Sequence, residues 1–248
     1  TSGWQIDCEK LSATVSTQTV ALVVVNPNNP TGSFIKQEEL QQLNALCAEH
    51  QLAIISDEVF SDYGEGEDAQ RVPSLVGNRG ALTFVLSGLS KISALPQVKL
   101  SWIHVSGPET LRAAAQERLD FIADTYLSVG TPVQHAAARL LTQRRHVQKQ
   151  IRQRCRANEQ YLLAQCAHTA HCRVLQREGG WYAIIAIANE FSEEEFTVRL
   201  LEEYDVLIHP GYFFDFPQPG YLVVSLLTPS KIFERGVELV LKRIADGF

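Results

Sequence analysis

The chain has 248 residues, of which 45% are hydrophobic and 20% are charged, and its formal net charge is −6. This length allows one or two domains, and the composition is that of an ordinary globular protein with no apolar run long enough to cross a bilayer. An acidic chain provides no field that gathers nucleic-acid phosphates. We therefore expect neither nucleic-acid binding nor a membrane function.

The five cysteines form neither a C-x-x-C pair nor a dense framework, and their odd number excludes full disulfide pairing. No secretory signal is visible at the N-terminus, so we expect a reducing, cytoplasmic location. The cysteines and histidines match no standard zinc spacing, and no metal site is expected. The chain starts at Thr1 and contains no methionine, as expected of a sequence that was processed or begins part-way along a longer one.

The first half of the chain alternates short apolar runs with segments of helical periodicity. Strands are predicted at residues 20–25, 52–55, 81–86 and 101–105, and helices at 38–50 and 109–123. The run at 20–25 is continuously apolar, which predicts a strand buried on both faces. Short buried strands that alternate with helices predict a largely parallel sheet.

The second half has a different rhythm. A long helix is predicted at residues 132–167, opened by Pro132, followed by strands at 174–175, 181–187, 206–208 and 221–227 and by helices at 192–204 and 229–244. Ser192 and Glu195 have capping-box spacing. We therefore predict an α/β part with a mostly parallel sheet and flanking helices at residues 1–140, and a smaller α+β domain at 141–248, linked by the long helix.

Three successive predicted strands end in polar residues. The first is followed by NPNNPTG (residues 26–32), the second by Asp57 and Glu58, and the third by SGLSK (residues 87–91). Taken one at a time, NPNNPTG also fits a turn without function, Asp57 a helix N-cap or surface acid, and Lys91 a solvated surface lysine. Ligands bind at the carboxyl edge of parallel sheets in open α/β folds, and the succession of three motifs at that edge indicates a site.

The carboxylate and the lysine at these strand ends have chemical properties that suit a cofactor site. A carboxylate delivered by a buried strand requires a positively charged partner. A lysine beside a Ser/Gly turn lies near hydroxyl and N–H groups that suit a phosphate, and a desolvated amine can lose its proton and form an imine.

The ordered segments NPNNPTG, SDEVFSDY (residues 56–63) and SGLSK resemble the fold-type I, class I/II aminotransferase family. The later segments GGWYAI, VLIHPGYFF and GYLVVSLLTP resemble the small domain of that family, so the resemblance extends over essentially the whole chain. It implies that residues 1–140 are part of a large domain that binds pyridoxal 5′-phosphate (PLP). That domain is expected to be incomplete, because the family has a substantial segment before the first motif.

The resemblance implies a role for each matching position. Lys91 forms the Schiff base with PLP and moves a proton at the substrate Cα, Asp57 pairs with the pyridine nitrogen, and Asn29 hydrogen-bonds the ring oxygen. The expected phosphate contacts are Ser87, Ser90 and Lys99, the last in place of a family arginine. The implied activity is amino-group transfer between an amino acid and a 2-oxo acid, in a homodimer.

Two positions depart from the family pattern. Phe60 stands where the family usually has a tyrosine that contacts the ring oxygen, which should raise the pKa of the Schiff base unless Tyr63 supplies a hydroxyl. Val223 stands nearest to the place of the arginine that grips the substrate carboxylate. Two alternatives therefore stay open: a PLP-dependent lyase acting at Cβ or Cγ on the same fold, and a truncated or degenerate relative without turnover.

Overall fold

The computed structural model describes residues 3–169, 171–187 and 192–246. The chain divides into two compact units. The first takes in the chain up to Asn28 and Ser33–Gln148, and the second takes in Asn29–Gly32 and the chain from Lys149 onwards. The assignment of residues 1–140 to a PLP-binding domain and of 141–248 to a small domain stays a prediction.

A four-stranded sheet lies at the centre of the first unit. It comprises β1 (Ala21–Val25), β2 (Ala53–Asp57), β3 (Thr83–Gly88) and β4 (Ser101–Ser106), in the order β1-β2-β3-β4. The first three strands are parallel and β4 runs antiparallel to β3. The predicted mostly parallel sheet is confirmed, and the carboxyl ends of β1, β2 and β3 share one edge.

The helices of the first unit are α1 (Cys8–Thr14), α2 (Gln37–His50), α3 (Leu89–Ile92), α4 (Glu109–Asp124) and the beginning of α5 (Thr131–Cys166). Leu43 and Cys47 of α2 join Leu22, Ile54 and Val85 of the sheet in one buried core. The prediction that residues 20–25 are buried on both faces is wrong. Successive side chains point to opposite faces of a strand, so that Leu22 enters the core whereas Val23 is 71% exposed.

The second unit contains an antiparallel sheet in the order β5-β6-β8-β7. Its strands are β5 (Cys172–Val174), β6 (Tyr182–Ile187), β7 (His209–Pro210) and β8 (Tyr221–Ser225). Its helices are the remainder of α5, α6 (Glu193–Tyr204) and α7 (Ser230–Ala245). The α/β part and the α+β part match the predicted fold class.

One predicted strand of the second unit is wrong. Residues 206–208 form no strand, and β7 begins at His209. The reason is the end of α6, where Asp205 takes a left-handed conformation and the Val206 N–H donates to the carbonyl of Leu200. This hydrogen bond satisfies the last turn of the helix and removes Val206 from sheet pairing. None of the helices in the described residues combines the length and apolarity needed to cross a membrane.

Candidate cofactor site

Asp57 is the last residue of β2 and lies at the shared carboxyl edge of the sheet. It is in register with Val25 of β1 and Leu86 of β3. Its Oδ1 accepts a hydrogen bond from the Val59 N–H at 3.1 Å, and its main-chain carbonyl accepts one from the Asn26 N–H at 2.9 Å. The half-buried carboxylate is thereby oriented by the turn that follows it, and Oδ2 has no hydrogen bond within the described residues.

Lys91 lies on α3, the single helical turn that begins directly after β3. Gly88, between the strand and this turn, is required by close packing, because an added Cβ would lie 2.8 Å from the carbonyl oxygen of Leu100 and 3.0 Å from the Ser101 Cα. The chain can therefore turn tightly at the strand end, and this brings Lys91 to the same sheet edge as Asp57.

Two side chains outside the SGLSK segment, those of Tyr63 and Gln148, hold the backbone of α3. The Tyr63 hydroxyl donates to the Lys91 carbonyl at 2.7 Å. The Gln148 amide donates to the Ile92 carbonyl at 2.8 Å and to Asp62 Oδ2 at 2.6 Å. Sequence reasoning missed Gln148, because its partners lie far away along the chain. The Tyr63 hydroxyl, considered as a substitute for the family's tyrosine, holds the main chain of Lys91.

The Lys91 amine lies beside an aromatic ring. Its Nζ is 5.7 Å from the centroid of the buried Phe60 ring. The position where the family usually has a tyrosine is therefore adjacent to the amine, and the ring there carries no hydroxyl.

The candidate phosphate contacts surround the same turn. Ser87 is opposite Trp102 in the β3–β4 pairing, and Ser90 lies on α3. Both serines are half-buried, and neither hydroxyl has a hydrogen bond within the described residues. Lys99 is exposed and follows a short 3-10 turn, with a left-handed φ of 51°. Ser87, Ser90 and Lys91 thus lie within a few residues of one another, whereas Lys99 stands after a further turn.

The NPNNPTG segment is divided between the two units. Asn26 is fully buried in the first unit, where its Nδ2 donates to the Val72 carbonyl at 2.9 Å and its Oδ1 accepts from the Ile35 N–H at 3.0 Å. Asn29 belongs to the second unit, and its peptide bond to Pro30 is cis. Sequence reasoning did not distinguish the two asparagines; the first is a structural residue.

Two buried glutamates have structural roles that the sequence did not indicate. Glu58 accepts hydrogen bonds from the Ser56 hydroxyl, the Leu75 N–H and the Ser74 hydroxyl. Glu193 of α6 accepts three main-chain N–H bonds, from Tyr212, Gly220 and Tyr221. Both carboxylates hold loops, and a weak signal for Glu58 was its position directly after a buried strand.

In β8, Val223 is 1% exposed and pairs with Ile184 and His209. A valine here offers no charge to a substrate carboxylate.

Elsewhere in the second unit, a hydrogen bond to Cys172 together with burial raises the pKa of the Cys166 thiol, and the same bond lowers the pKa of Cys172. Across the described ranges, no group of three or more His, Cys, Asp or Glu side chains could hold a metal ion.

The donor set of the first unit fits PLP. The cofactor has an aldehyde that reacts with an amine, a ring nitrogen that pairs with a carboxylate, and a phosphate that accepts hydrogen bonds. The sheet edge offers the Lys91 amine, the Asp57 carboxylate with one oxygen not hydrogen-bonded by described residues, and the hydroxyls of Ser87 and Ser90. These groups are of the right types and lie at the carboxyl edge where ligands bind.

Comparisons with known proteins agree with this fold. The family described as "Aminotransferase class I and II" matches residues 1–237. The alanine aminotransferase of Mycobacterium bovis is 28% identical over 246 residues, covering 96% of this chain and 57% of that protein. The 1-aminocyclopropane-1-carboxylate synthase 6 of Oryza sativa is 28% identical over 236 residues, covering 90% of this chain and 42% of that protein.

A solved structure shows the same fold. The alanine aminotransferase from Pyrococcus furiosus superposes with a TM-score of 0.84 at 24% identity, covering 98% of this chain and 61% of that one. This chain therefore spans about three fifths of the length of the aminotransferases that it matches. Members of the matched family use PLP. With the family matched over residues 1–237, the chain belongs to the class I and II aminotransferases.

Proposed function

We propose that this chain carries the covalent cofactor lysine of a PLP-dependent aminotransferase, which transfers an amino group between an amino acid and a 2-oxo acid. The observation that carries the proposal is the position of Asp57 and Lys91 at the carboxyl ends of the adjacent parallel strands β2 and β3. The family match supports the same reaction.

Each residue has a distinct task in this proposal. Asp57 would keep the ring nitrogen of bound PLP protonated, while its Oδ1 stays bonded to the Val59 N–H. Ser87, Ser90 and Lys99 bind the phosphate, and Asn29 donates to the ring oxygen, as the family resemblance implies. When bound, PLP supplies an electron-withdrawing ring that stabilises negative charge at the substrate Cα.

Lys91 has two tasks. Its Nζ would be the covalent attachment point of the cofactor, and as a free amine Lys91 would carry the proton from the substrate Cα to the cofactor C4′ during amino transfer. The bonds from Tyr63 and Gln148 hold the backbone of α3, so the amine moves on its own side-chain torsions rather than with a flexible loop.

The test is an absorption titration of the purified chain with PLP, followed by borohydride reduction and peptide mapping. We expect a violet absorption band and a reduced, PLP-labelled peptide that contains Lys91. The Lys91→Ala variant loses both, whereas Lys149→Ala, which removes an exposed lysine of α5, keeps both. A wild-type chain without the band, or labelling spread evenly over many lysines, contradicts the proposal.

Turnover is tested separately with L-alanine and 2-oxoglutarate, a pair suggested by the name of the Mycobacterium bovis relative. We expect pyruvate and glutamate in equal amounts, and none from Lys91→Ala. If Lys91 is labelled but no product forms, the chain is better explained as a truncated or degenerate relative without turnover. Because Val223 provides no charge for the substrate carboxylate, we expect a KM well above that of relatives that have an arginine there.

A lyase-type reaction is the second candidate, favoured by the match to the 1-aminocyclopropane-1-carboxylate synthase. That enzyme is named for a synthesis rather than for amino transfer, and it covers 90% of this chain. The two reactions differ in their need for an acceptor. Product release from an amino substrate with no 2-oxo acid present supports the second candidate, and a strict requirement for the 2-oxo acid supports the first.

Two further properties belong to the proposal. The family resemblance implies a homodimer, which sedimentation or light scattering tests directly. A cytoplasmic location fits the five cysteines, none of which forms a disulfide bond in the part of the chain that the structure describes.

A further inference from the structure

Two cysteines of the second unit are neighbours in space, and five residues lie between them in the chain. Cys166 is the last residue of α5, and Cys172 is the first residue of β5. The chain turns immediately after the helix, where the Thr169 N–H donates to the Cys166 carbonyl at 3.0 Å. The strand then begins with Cys172 beside Cys166, and the two thiols are hydrogen-bonded to each other. A disulfide between them therefore requires only a short approach of two sulfur atoms that are already in contact.

The two thiols differ in their access to solvent. Cys166 is 5% exposed, whereas Cys172 is half-buried. Cys172 also begins a strand at the edge of its sheet, where it is opposite Ile187 of β6. A reagent in solution thus reaches the sulfur of Cys172 before it reaches that of Cys166.

The hydrogen bond between the thiols favours the same order of reaction. Because the Cys166 S–H donates to the sulfur of Cys172, the bond lowers the pKa of Cys172 against the opposing effect of burial. The same bond, together with burial, raises the pKa of Cys166. The thiolate is the nucleophilic form of cysteine. Cys172 is therefore the sulfur that attacks first, and Cys166 keeps its proton until Cys172 has reacted.

We propose that Cys166 and Cys172 are a redox-sensitive pair that forms a reversible disulfide when it is oxidised by a small disulfide such as oxidised glutathione. The Cys172 thiolate attacks one sulfur of the oxidant, which releases one glutathione and leaves Cys172 in a mixed disulfide. Cys166 then loses its proton and attacks the Cys172 sulfur, which releases the second glutathione. Two protein thiols and one glutathione disulfide become one protein disulfide and two glutathione thiols, which carry the two protons.

The disulfide would tie the end of α5 to the start of β5. A cross-link restricts the unfolded chain more than a fold in which the two sulfurs are already neighbours. We therefore expect oxidation to raise the urea midpoint of the second unit and dithiothreitol to reverse the rise. Neither cysteine belongs to the candidate cofactor site, so the inference does not rest on the proposed function.

The experiment treats the native chain with oxidised glutathione, alkylates the remaining thiols with N-ethylmaleimide in urea, and maps the tryptic peptides. Both cysteines lie in the tryptic peptide of residues 157–173, which contains no other cysteine. We expect this peptide to carry no N-ethylmaleimide and to be lighter than its dithiol form by two hydrogen atoms. The pair should react at least about tenfold faster than Cys47, because burial raises the pKa of that thiol to about 11.

Single variants separate the tasks of the two sulfurs. Cys166→Ala removes the second sulfur, so glutathione is expected to remain on Cys172 as a mixed disulfide. In Cys172→Ser the buried Cys166 is expected to carry N-ethylmaleimide and no glutathione. Cys155→Ala, which replaces another buried cysteine of α5, is the matched control and is expected to keep the wild-type disulfide.

The competing explanation is a pair of thiols that only pack against each other. Peptide 157–173 with both cysteines alkylated after native oxidation supports that explanation and overturns the proposal. A wild-type chain that keeps glutathione on Cys172, or that forms a disulfide only between two chains, overturns it as well. An oxidised chain with a lower urea midpoint also contradicts it, because a strained bond shows that the fold does not hold the two sulfurs in position.

Discussion

Phe60 is the residue next to Lys91 whose replacement has the clearest expected effect. Its ring centroid is 5.7 Å from Nζ, and it carries no hydroxyl where the family usually has one. We expect Phe60→Tyr to add a donor to the cofactor ring oxygen and to lower the spectroscopic pKa of PLP bound at Lys91 by about one unit. A pH titration of the violet band measures this shift.

The control for this variant is Phe60→Leu, which fills part of the same space without a hydroxyl. It is expected to leave the spectroscopic pKa within a few tenths of a unit of the wild-type value. If Phe60→Tyr and Phe60→Leu move the pKa equally, the hydroxyl is not the cause and the assignment of Phe60 to the ring-oxygen position is wrong.

Cys47 gives a prediction about stability at alkaline pH. Burial raises the pKa of its thiol from 9.0 to about 11. Above pH 9 the unfolded chain releases this proton and the folded chain retains it, so the free energy of unfolding falls between pH 9 and pH 11. The loss from this one group is at most about 2 to 3 kcal/mol. Urea unfolding at successive pH values measures it.

Cys47→Ala removes the titrating group, at the cost of a small cavity that destabilises the chain by about 1 kcal/mol at every pH. Its alkaline slope should be shallower than that of the wild type. Cys8→Ala, at a half-buried position on α1, should keep most of the wild-type slope. Equal slopes in wild type and Cys47→Ala would show that the thiol is not responsible.

At this scale the sequence singles out the candidate cofactor residues, whereas it does not mark the residues that hold them in place. Asp57 and Lys91 could be singled out because each lies at the end of a strand or within a few positions after it. Gln148 could not, because its partner Asp62 lies far away along the chain and nothing in the local pattern marks it. Asn26 and Asn29 share one motif, and only the three-dimensional structure shows that Asn26 is buried and structural.

Strands and helices of the first unit could be predicted because their apolar runs are short, clear and separated by polar turns. Other features of the fold could not be predicted from apolar periodicity. Periodicity does not say which face of β1 is covered, hence the error at Val23. It also does not give strand direction, so the antiparallel orientation of β4 became known only from its pairing with β3. Residues 206–208 are apolar enough for a strand, but the Val206 N–H is hydrogen-bonded to the Leu200 carbonyl at the end of α6.

Glu58 connects two parts of the first unit and supports an element-scale prediction. Its carboxylate accepts three hydrogen bonds from Ser56, Ser74 and Leu75, which fix the loop before β3 to the end of β2. We expect Glu58→Gln to lower the free energy of unfolding by about 1 to 3 kcal/mol, because it removes charge-assisted acceptors from a buried site. Urea denaturation followed by circular dichroism measures the change.

The matched control is Glu117→Gln, at an exposed position in α4 with no hydrogen bond or ion pair in the described structure. Its effect should be within about 0.5 kcal/mol. A loss below that limit for Glu58→Gln would show that the loop does not depend on the charge of this carboxylate.

The boundary between the two units lies inside a continuous helix. Residues 131–148 of α5 belong to the first unit and residues 149–166 to the second. A helix that continues through a boundary carries no linker composition, so no sequence pattern marks residue 148. The domain boundary predicted from the sequence, after residue 140, lies within the same helix. The assignment of Asn29–Gly32 to the second unit likewise has no local signal.

Each unit has its own buried core, and a unit with its own core is able to unfold separately. The tryptophans make this testable, because Trp4 and Trp102 lie in the first unit and Trp181 in the second. A Trp4→Phe, Trp102→Phe background leaves Trp181, buried beside the Gly179–Gly180 turn, as the reporter of the second unit. A Trp4→Phe, Trp181→Phe background leaves Trp102 of β4 as the reporter of the first.

Glu58→Gln, introduced into both backgrounds, then changes the stability of the first unit alone. We expect it to lower the urea midpoint reported by Trp102 and to leave that reported by Trp181 unchanged, because the side-chain hydrogen bonds of Glu58 to described residues all lie within the first unit. Asn158→Leu should do the reverse, since its bonds to Leu226 and Thr228 lie within the second unit. If either variant moves both midpoints by the same amount, the chain unfolds as one cooperative body and the two units are not separate folding domains.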